Sequence, residues 1–136
     1  MYLDMTIEEL HTLLVDKKVT PLTLTKEAIE KAKRDQNNAF ETICEKEALE
    51  FASTLVEPEV DNMFWGIPFV AKDNFSTKNI LSTGSSNILK DYVPVFDATV
   101  ITKLKDAKAV LIAKTTLDEL AMGGSGVTGH LGTTYN

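Results

Sequence analysis

Apolar residues recur at helical spacing from the start of the chain. Ile7, Leu10 and Leu14 share one face of a helix that the capping box Thr6-Ile-Glu-Glu9 opens and that ends near Asp16. His11 sits beside that face, as a surface or boundary residue rather than a ligand. Thr20-Pro21 starts a second helix, with Thr as cap, Pro in the first turn and Leu22, Ala28, Ile29 and Ala32 as its apolar stripe. Its basic end, 31–35, suits a helix C-terminus. Residues 39–45 alternate as a strand does, Phe40, Thr42 and Cys44 on one face and Ile43 on the other. Ala48, Phe51, Ala52 and Leu55 then return to helical spacing. The polar run 57–62 contains Pro58 and reads as an exposed connection. It divides a mainly helical segment, 1–56, from the start of an αβ core, 63–136, within one domain.

The second segment opens on Phe64-Trp-Gly-Ile-Pro-Phe-Val-Ala-Lys-Asp-Asn74, the stretch around which the chain is organised. Gly66 relaxes the backbone and Pro68 fixes φ and removes a donor. Phe69-Val70-Ala71 predicts a buried strand that stops on Lys72. Residues 75–86 carry Ser, Thr, Asn and Gly with no period, which predicts a long loop. Asp97 can cap a helix running to about Ala107, with Val100, Ile101, Leu104 and Ala107 inward. Ala109-Val-Leu-Ile-Ala113 is apolar at every position, the pattern of a strand covered on both faces in a parallel sheet. Strand, helix and strand make a βαβ unit, so the fold class is α/β. Thr116-Leu-Asp-Glu119 reads as a second capping box, Gly123-Gly-Ser-Gly126 ends its turn, and 127–136 is loop.

Composition narrows the function. The 136 residues carry a formal net charge of −6, which argues against a nucleic-acid-binding surface on this chain. The single cysteine, Cys44, can form no internal disulfide, so a reducing cytoplasm is the expected compartment and a buried small apolar residue its expected role. No apolar run is long enough to span a membrane. His11 and His130 stand far apart with no zinc spacing, and neither the dinucleotide fingerprint nor the phosphate-loop pattern occurs.

Two stretches carry candidate chemistry. Lys72, at the end of an apolar strand, either reaches the surface and pairs with Asp73 or lies in a dry pocket where desolvation disfavours its charged form and makes it a base. Tandem glycines at 123 and 124 let backbone N–H groups approach a substrate oxygen, with Ser125 beside them as a site residue or a turn residue. Ser85 and Ser86 follow Gly84 outside any nucleophile elbow and read as turn residues.

Gly-Ile-Pro-Phe-Val-Ala-Lys-Asp-Asn (66–74) and Thr-Leu-Asp-Glu-Leu-Ala-Met-Gly-Gly-Ser (116–125) resemble, in order, two landmarks of the amidase-signature family. The second is worded as in the glutamine-hydrolysing subunits of tRNA-dependent amidotransferases. The resemblance implies an α/β/α fold with helices around a mixed sheet, of which this chain is the N-terminal part and an incomplete sheet. It implies Lys72 as the base of a Ser–Ser–Lys relay, with Met122, Gly123, Gly124 and Ser125 at the substrate. The nucleophilic and bridging serines belong to a Gly-Gly-Ser-Ser-Gly-Gly-Ser-like stretch beyond Asn136, so the chain alone is expected to be inactive.

The same resemblance implies glutamine as amide donor, a heterotrimer with other amidotransferase subunits, tRNA contacted mainly by a partner subunit, and no cofactor here, ATP and Mg being used by a partner. For a neutral Lys72, Asp73 is expected to turn aside onto backbone or Asn74. A stand-alone amidase on small amides and a non-catalytic binding module are the alternatives. Exposed strand edges predict that the isolated chain oligomerises, swaps segments or loses order from Gly123 onward.

Overall fold

The computed structural model describes residues 1–136. Four α-helices, α1 (Ile7–Val15), α2 (Pro21–Lys33), α3 (Glu45–Thr54) and α4 (Thr99–Asp106), surround three strands, β1 (Phe40–Ile43), β2 (Pro68–Lys72) and β3 (Val110–Thr115). Single 3-10 turns occupy Tyr2–Asp4, Asn87–Leu89 and Glu119–Ala121.

The helix starts follow the expected chemistry. Thr6 and Glu9 close a reciprocal capping box on α1. Thr20 caps α2 by accepting from Thr23 N–H, with Pro21 in the first turn. His11 is buried rather than peripheral, and its Nε2 is 2.9 Å from the Val60 carbonyl, which ties the polar connection to α1.

The sheet order is β1-β3-β2. β3 is central, antiparallel to β1 and parallel to β2, and the connection from β2 to β3 runs through α4. A central strand has neighbours on both edges and cover on both faces, which is why Val110–Ala113 is apolar throughout. The strand extends two residues beyond the apolar run and carries Lys114 into the interior. Phe69 pairs with Leu111 and Val70 with Ala113, so Ile112 is the extra residue of a bulge.

Alternate positions of β3 feed different clusters. Val110 and Ile112 join Ala28 and Ile29 of α2 and Ala48 and Ala52 of α3. Leu111 joins Ala71, Cys44 and Ile101 of α4. A third cluster, Leu10, Leu14, Val19, Leu24, Trp65 and Ile67, seats α1 against the segment entering β2. Each fully buried Leu or Ile contributes about 1.5–3 kcal/mol.

Gly66 makes that entry possible. Its φ is +73°, its N–H donates to Lys108 O at 2.9 Å, and a Cβ there would lie 2.6 Å from Pro21 Cγ.

Several local expectations are corrected. β1 ends at Ile43, and Cys44 is the N-cap residue of α3 instead of a strand position. Asp97 does not cap α4; it accepts from Lys78 N–H and pairs with Lys105 at 2.8 Å. Ile101 is the buried residue of α4, whereas Val100 is 43% exposed. Edge strand β2 leaves Val70 46% exposed.

Candidate functional site

The site begins where β2 ends. Alternation puts Ala71 and Asp73 on the inward side, both buried, and Val70 and Lys72 on the outward side, both exposed. Lys72 is therefore not enclosed by its strand within these residues, contrary to the expected dry pocket: it stands on the open face of an edge strand. The buried lysine is Lys114 on the neighbouring strand. Its Nζ lies 3.0 Å from Asp73 Oδ1, with both side chains fully shielded from solvent, and donates to Phe75 O at 3.0 Å and Ser82 Oγ at 2.9 Å. Asp73 Oδ2 accepts from Thr83 N–H and Thr83 Oγ1, each at 2.7 Å. Asp73 thus turns away from Lys72 and onto backbone as expected, at Thr83 N–H, and also onto the Thr83 hydroxyl and Lys114, with no bond to Asn74.

Backbone bonds then carry the chain from β2 to the glycine-rich turn. Asp73 N–H donates to Thr115 O at 3.0 Å, Gly84 N–H to Asp73 O at 3.1 Å, and Leu120 N–H to Gly84 O at 2.8 Å. Asp73, Asn74, Gly84, Leu120 and Ala121 line a cavity of about 210 Å³ with Ser76, Ser82, Leu89 and Tyr92. The structure therefore joins the end of β2 to the turn that leads into Met122, Gly123, Gly124 and Ser125, all four exposed. Lys72 does not line this cavity. The largest concavity, about 750 Å³ between α2, β1 and β2, contains none of the candidate residues.

Asp118 organises that turn. Its Oδ2 accepts from Ser125 N–H at 2.8 Å and Gly126 N–H at 2.9 Å. Its Oδ1 accepts from Val127 N–H at 2.9 Å, Thr128 N–H at 3.1 Å and Thr128 Oγ1 at 2.9 Å. The N–H of Gly126, followed by those of Thr128 and Ser125, holds the carboxyl well below the usual carboxylate range. Gly123 has to be glycine, since a Cβ would lie 2.6 Å from Asp118 Oδ2.

Leu120 (φ 53°, ψ 25°) and Ala121 (φ 62°) both occupy the left-handed region, at about 1–2 kcal/mol each. The expected capping box at 116–119 does not form. Thr116 Oγ1 donates to Asn38 O at 3.0 Å, Asp118 takes the cap position, and Glu119 accepts from Ser86 Oγ at 2.7 Å.

Ser85 is fully buried, donates to Glu41 and accepts from Leu117 N–H at 3.0 Å. Glu41 also pairs with His130 Nε2 at 2.8 Å. The Ser85 hydroxyl is bonded to the acid and not to the imidazole, while His130 N–H donates to Ser85 O at 2.9 Å. The trio is therefore a clasp between β1, the 83–86 turn and the C-terminal loop, and the turn reading of Ser85 and Ser86 stands. Cys44 is buried, and burial pushes its thiol up to about 11. No three His, Cys, Asp or Glu side chains gather as a metal site. No helix is long and apolar enough to cross a membrane.

A βαβ unit whose strand end is wired to a constrained glycine turn defines an α/β core with its polar machinery at the carboxyl ends of parallel strands. The chain belongs to the amidase family, whose model matches residues 23–136. It is 46% identical over 135 residues to the A subunit of the glutamyl-tRNA(Gln) amidotransferase of Streptococcus thermophilus (strain CNRZ 1066), covering 96% of this chain and 28% of that protein. The crystal structure of the corresponding A subunit from Thermotoga maritima matches with TM-score 0.76 and 36% identity, over 97% of this chain and 27% of that one. A peptide amidase in complex with the competitive inhibitor chymostatin matches with TM-score 0.88 and 25% identity, over 99% of this chain and 30% of that one. The chain thus spans under a third of the length of these relatives.

Proposed function

We propose that this chain forms the N-terminal part of the glutamine-hydrolysing subunit of a tRNA-dependent amidotransferase. The observation that carries the proposal is the 46% identity, across nearly the whole chain, to the A subunit of a glutamyl-tRNA(Gln) amidotransferase. Lys72 is the base, and Met122, Gly123, Gly124 and Ser125 border the substrate. The two serines of the relay come from residues beyond Asn136.

In this chemistry the neutral Lys72 amine takes a proton through the bridging serine. The nucleophilic serine oxygen bonds to the carboxamide carbon. The carbon–nitrogen bond then breaks, nitrogen takes the proton and leaves as ammonia, and water cleaves the acyl-serine to release glutamate. A partner subunit uses the ammonia and ATP to convert Glu-tRNA(Gln) to Gln-tRNA(Gln).

Two features of the geometry support Lys72 in this role. It sits at the carboxyl end of a parallel strand, and the acid next to it in sequence is engaged by Lys114 and Thr83. Lys72 takes part in no salt bridge among residues 1–136, so its amine is free to hydrogen-bond a serine.

The test is glutamine hydrolysis by the full-length protein with and without partner subunits, in wild type and Lys72→Ala. Loss of at least a thousandfold in turnover with native hydrogen exchange is expected of the variant. Retention of a tenth of the activity would remove Lys72 from the mechanism. The TM-score of 0.88 to a peptide amidase favours a second reading, a stand-alone amidase. Rapid hydrolysis of simple amides, indifferent to partner subunits, would select it.

A further inference from the structure

We propose that Asp118 is the positioning residue of the substrate loop, fixing 122–128 from the inside so that its outer surface is presented to an amide. The assignment rests on the amide-hydrolysing reading above. Four backbone N–H groups in succession, from Ser125 to Thr128, converge on one buried carboxylate, and the Thr128 hydroxyl joins them. Both carboxylate oxygens are thereby filled. The group has no lone pair to spare for substrate and acts only through the loop.

The loop needs such an anchor. Left-handed residues persist where the surroundings over-determine them, and here two in a row, Leu120 and Ala121, precede the glycines. Leu120 N–H is held by Gly84 O and Ala121 N–H by Asp118 O, each at 2.8 Å. Asp118 therefore grips the turn by its backbone on one side and by its side chain on the other.

What this leaves outward is specific. The N–H groups of Gly123 and Gly124 make no hydrogen bond within the chain, and a Cβ at Gly124 would meet nothing within 4 Å. Met122 is 83% exposed beside them. A loop locked inside with two adjacent free donors outside suits an acceptor oxygen, such as a carboxamide carbonyl or the carboxylate of an amino-acid amide.

Asp118→Asn separates this role from general stability. The amide is nearly isosteric, yet its NH2 end confronts N–H donors where a carboxylate oxygen accepted them. In the full-length protein, the variant is expected to raise KM for glutamine at least tenfold while kcat falls less than about threefold. Hydrogen exchange in 125–128 should accelerate at least tenfold, with 110–116 unchanged. Thr128→Val removes the hydroxyl that donates to Asp118 Oδ1 and accepts from Glu119 N–H at 3.0 Å, and leaves the four N–H contacts to Asp118 in place. It is expected to raise KM two- to threefold, and it decides the matter if Asp118→Asn fails to fold.

Accelerated loop exchange with unchanged KM would overturn the proposal, as would a kcat loss with unchanged KM and a shifted pH profile, the mark of direct proton transfer. An active wild type with unaffected variants sinks the assignment of Asp118 and spares the proposed function. A wild type inert toward both glutamine and simple amides, with its partners present, sinks both.

Discussion

Lys114→Met tests the buried ion pair that ties β2 to β3. Methionine keeps the unbranched shape and most of the volume, so cavity terms are small. The charge is lost, and Asp73 is left with Oδ2 bonded to Thr83 while Oδ1, formerly 3.0 Å from Nζ, faces a thioether. Phe75 O and Ser82 Oγ lose a donor as well. Removing one member of a buried pair costs about 3–5 kcal/mol, and each 1.4 kcal/mol is a tenfold change in an equilibrium constant. The local opening constant of the sheet should therefore rise by about two to nearly four orders of magnitude.

Hydrogen exchange by mass spectrometry on the full-length protein, following peptides over 71–75, 82–85 and 110–116, reads this directly. Helix α2 serves as an internal reference. Asp73→Asn in the Lys114→Met background removes the stranded charge while keeping an acceptor for Thr83, and should recover at least half of the loss. A single-variant cost below about 1 kcal/mol, or no relief from the second substitution, would refute the claim that this pair holds the end of β2.

Gly66→Ala should destabilise by about 2–4 kcal/mol, since it adds left-handed strain to a 2.6 Å contact with the ring of Pro21; a urea midpoint within error of wild type would contradict the contact. Cys44, with its thiol pushed up to about 11 by burial, should resist a neutral-pH thiol reagent until the protein is unfolded; because the folded value lies above the unfolded one, near 8.5, the native state retains a proton that the unfolded state releases, and this group's share of stability should decline between about pH 9 and 11. The folded carboxyl of Asp118 lies below its unfolded value near 3.9, so its contribution is complete above about pH 5 and drains as pH falls below about 4; the gap in urea midpoint between wild type and Asp118→Asn should shrink from pH 7 to pH 3.

Much of this architecture is written locally. Thr6 with Glu9 and Thr20 with Pro21 set helix starts through contacts within one turn, and the unbroken apolar run at 109–113 announces a central strand. The misread positions are those decided by distant partners. Asp97 and Thr116 both looked like caps, but Lys105 and the Asn38 carbonyl claim them instead. Val100 and Ile101 differ by one helical step, and only the placement of α4 over Leu111 and Ala71 separates them.

Asp118 was hidden for a different reason. Its partners lie seven to ten residues on, within a glycine-rich segment that has no period to read. The available signal was the motif itself, an acid placed shortly before tandem glycines. Lys114 likewise continues an apolar run, where a lysine is most simply read as the strand's exit to solvent.

The two lysines show how the sheet converts sequence neighbours into spatial strangers. Lys72 closes β2 and Asp73 follows it directly, and opposite charges at that spacing invite a pair on paper. Side chains alternate across the sheet, so whichever face takes Asp73 excludes Lys72. Asp73 goes inward, where an unpaired carboxylate would be untenable, and the register that sets Ala71 beside Lys114 supplies its counter-ion from the next strand. Because that need is met internally, Lys72 projects from the same strand end with no salt bridge. Two lysines at neighbouring strand ends, one exposed and one a buried counter-ion, therefore have to be told apart by register. The acid next to Lys72 in sequence belongs in space to Lys114.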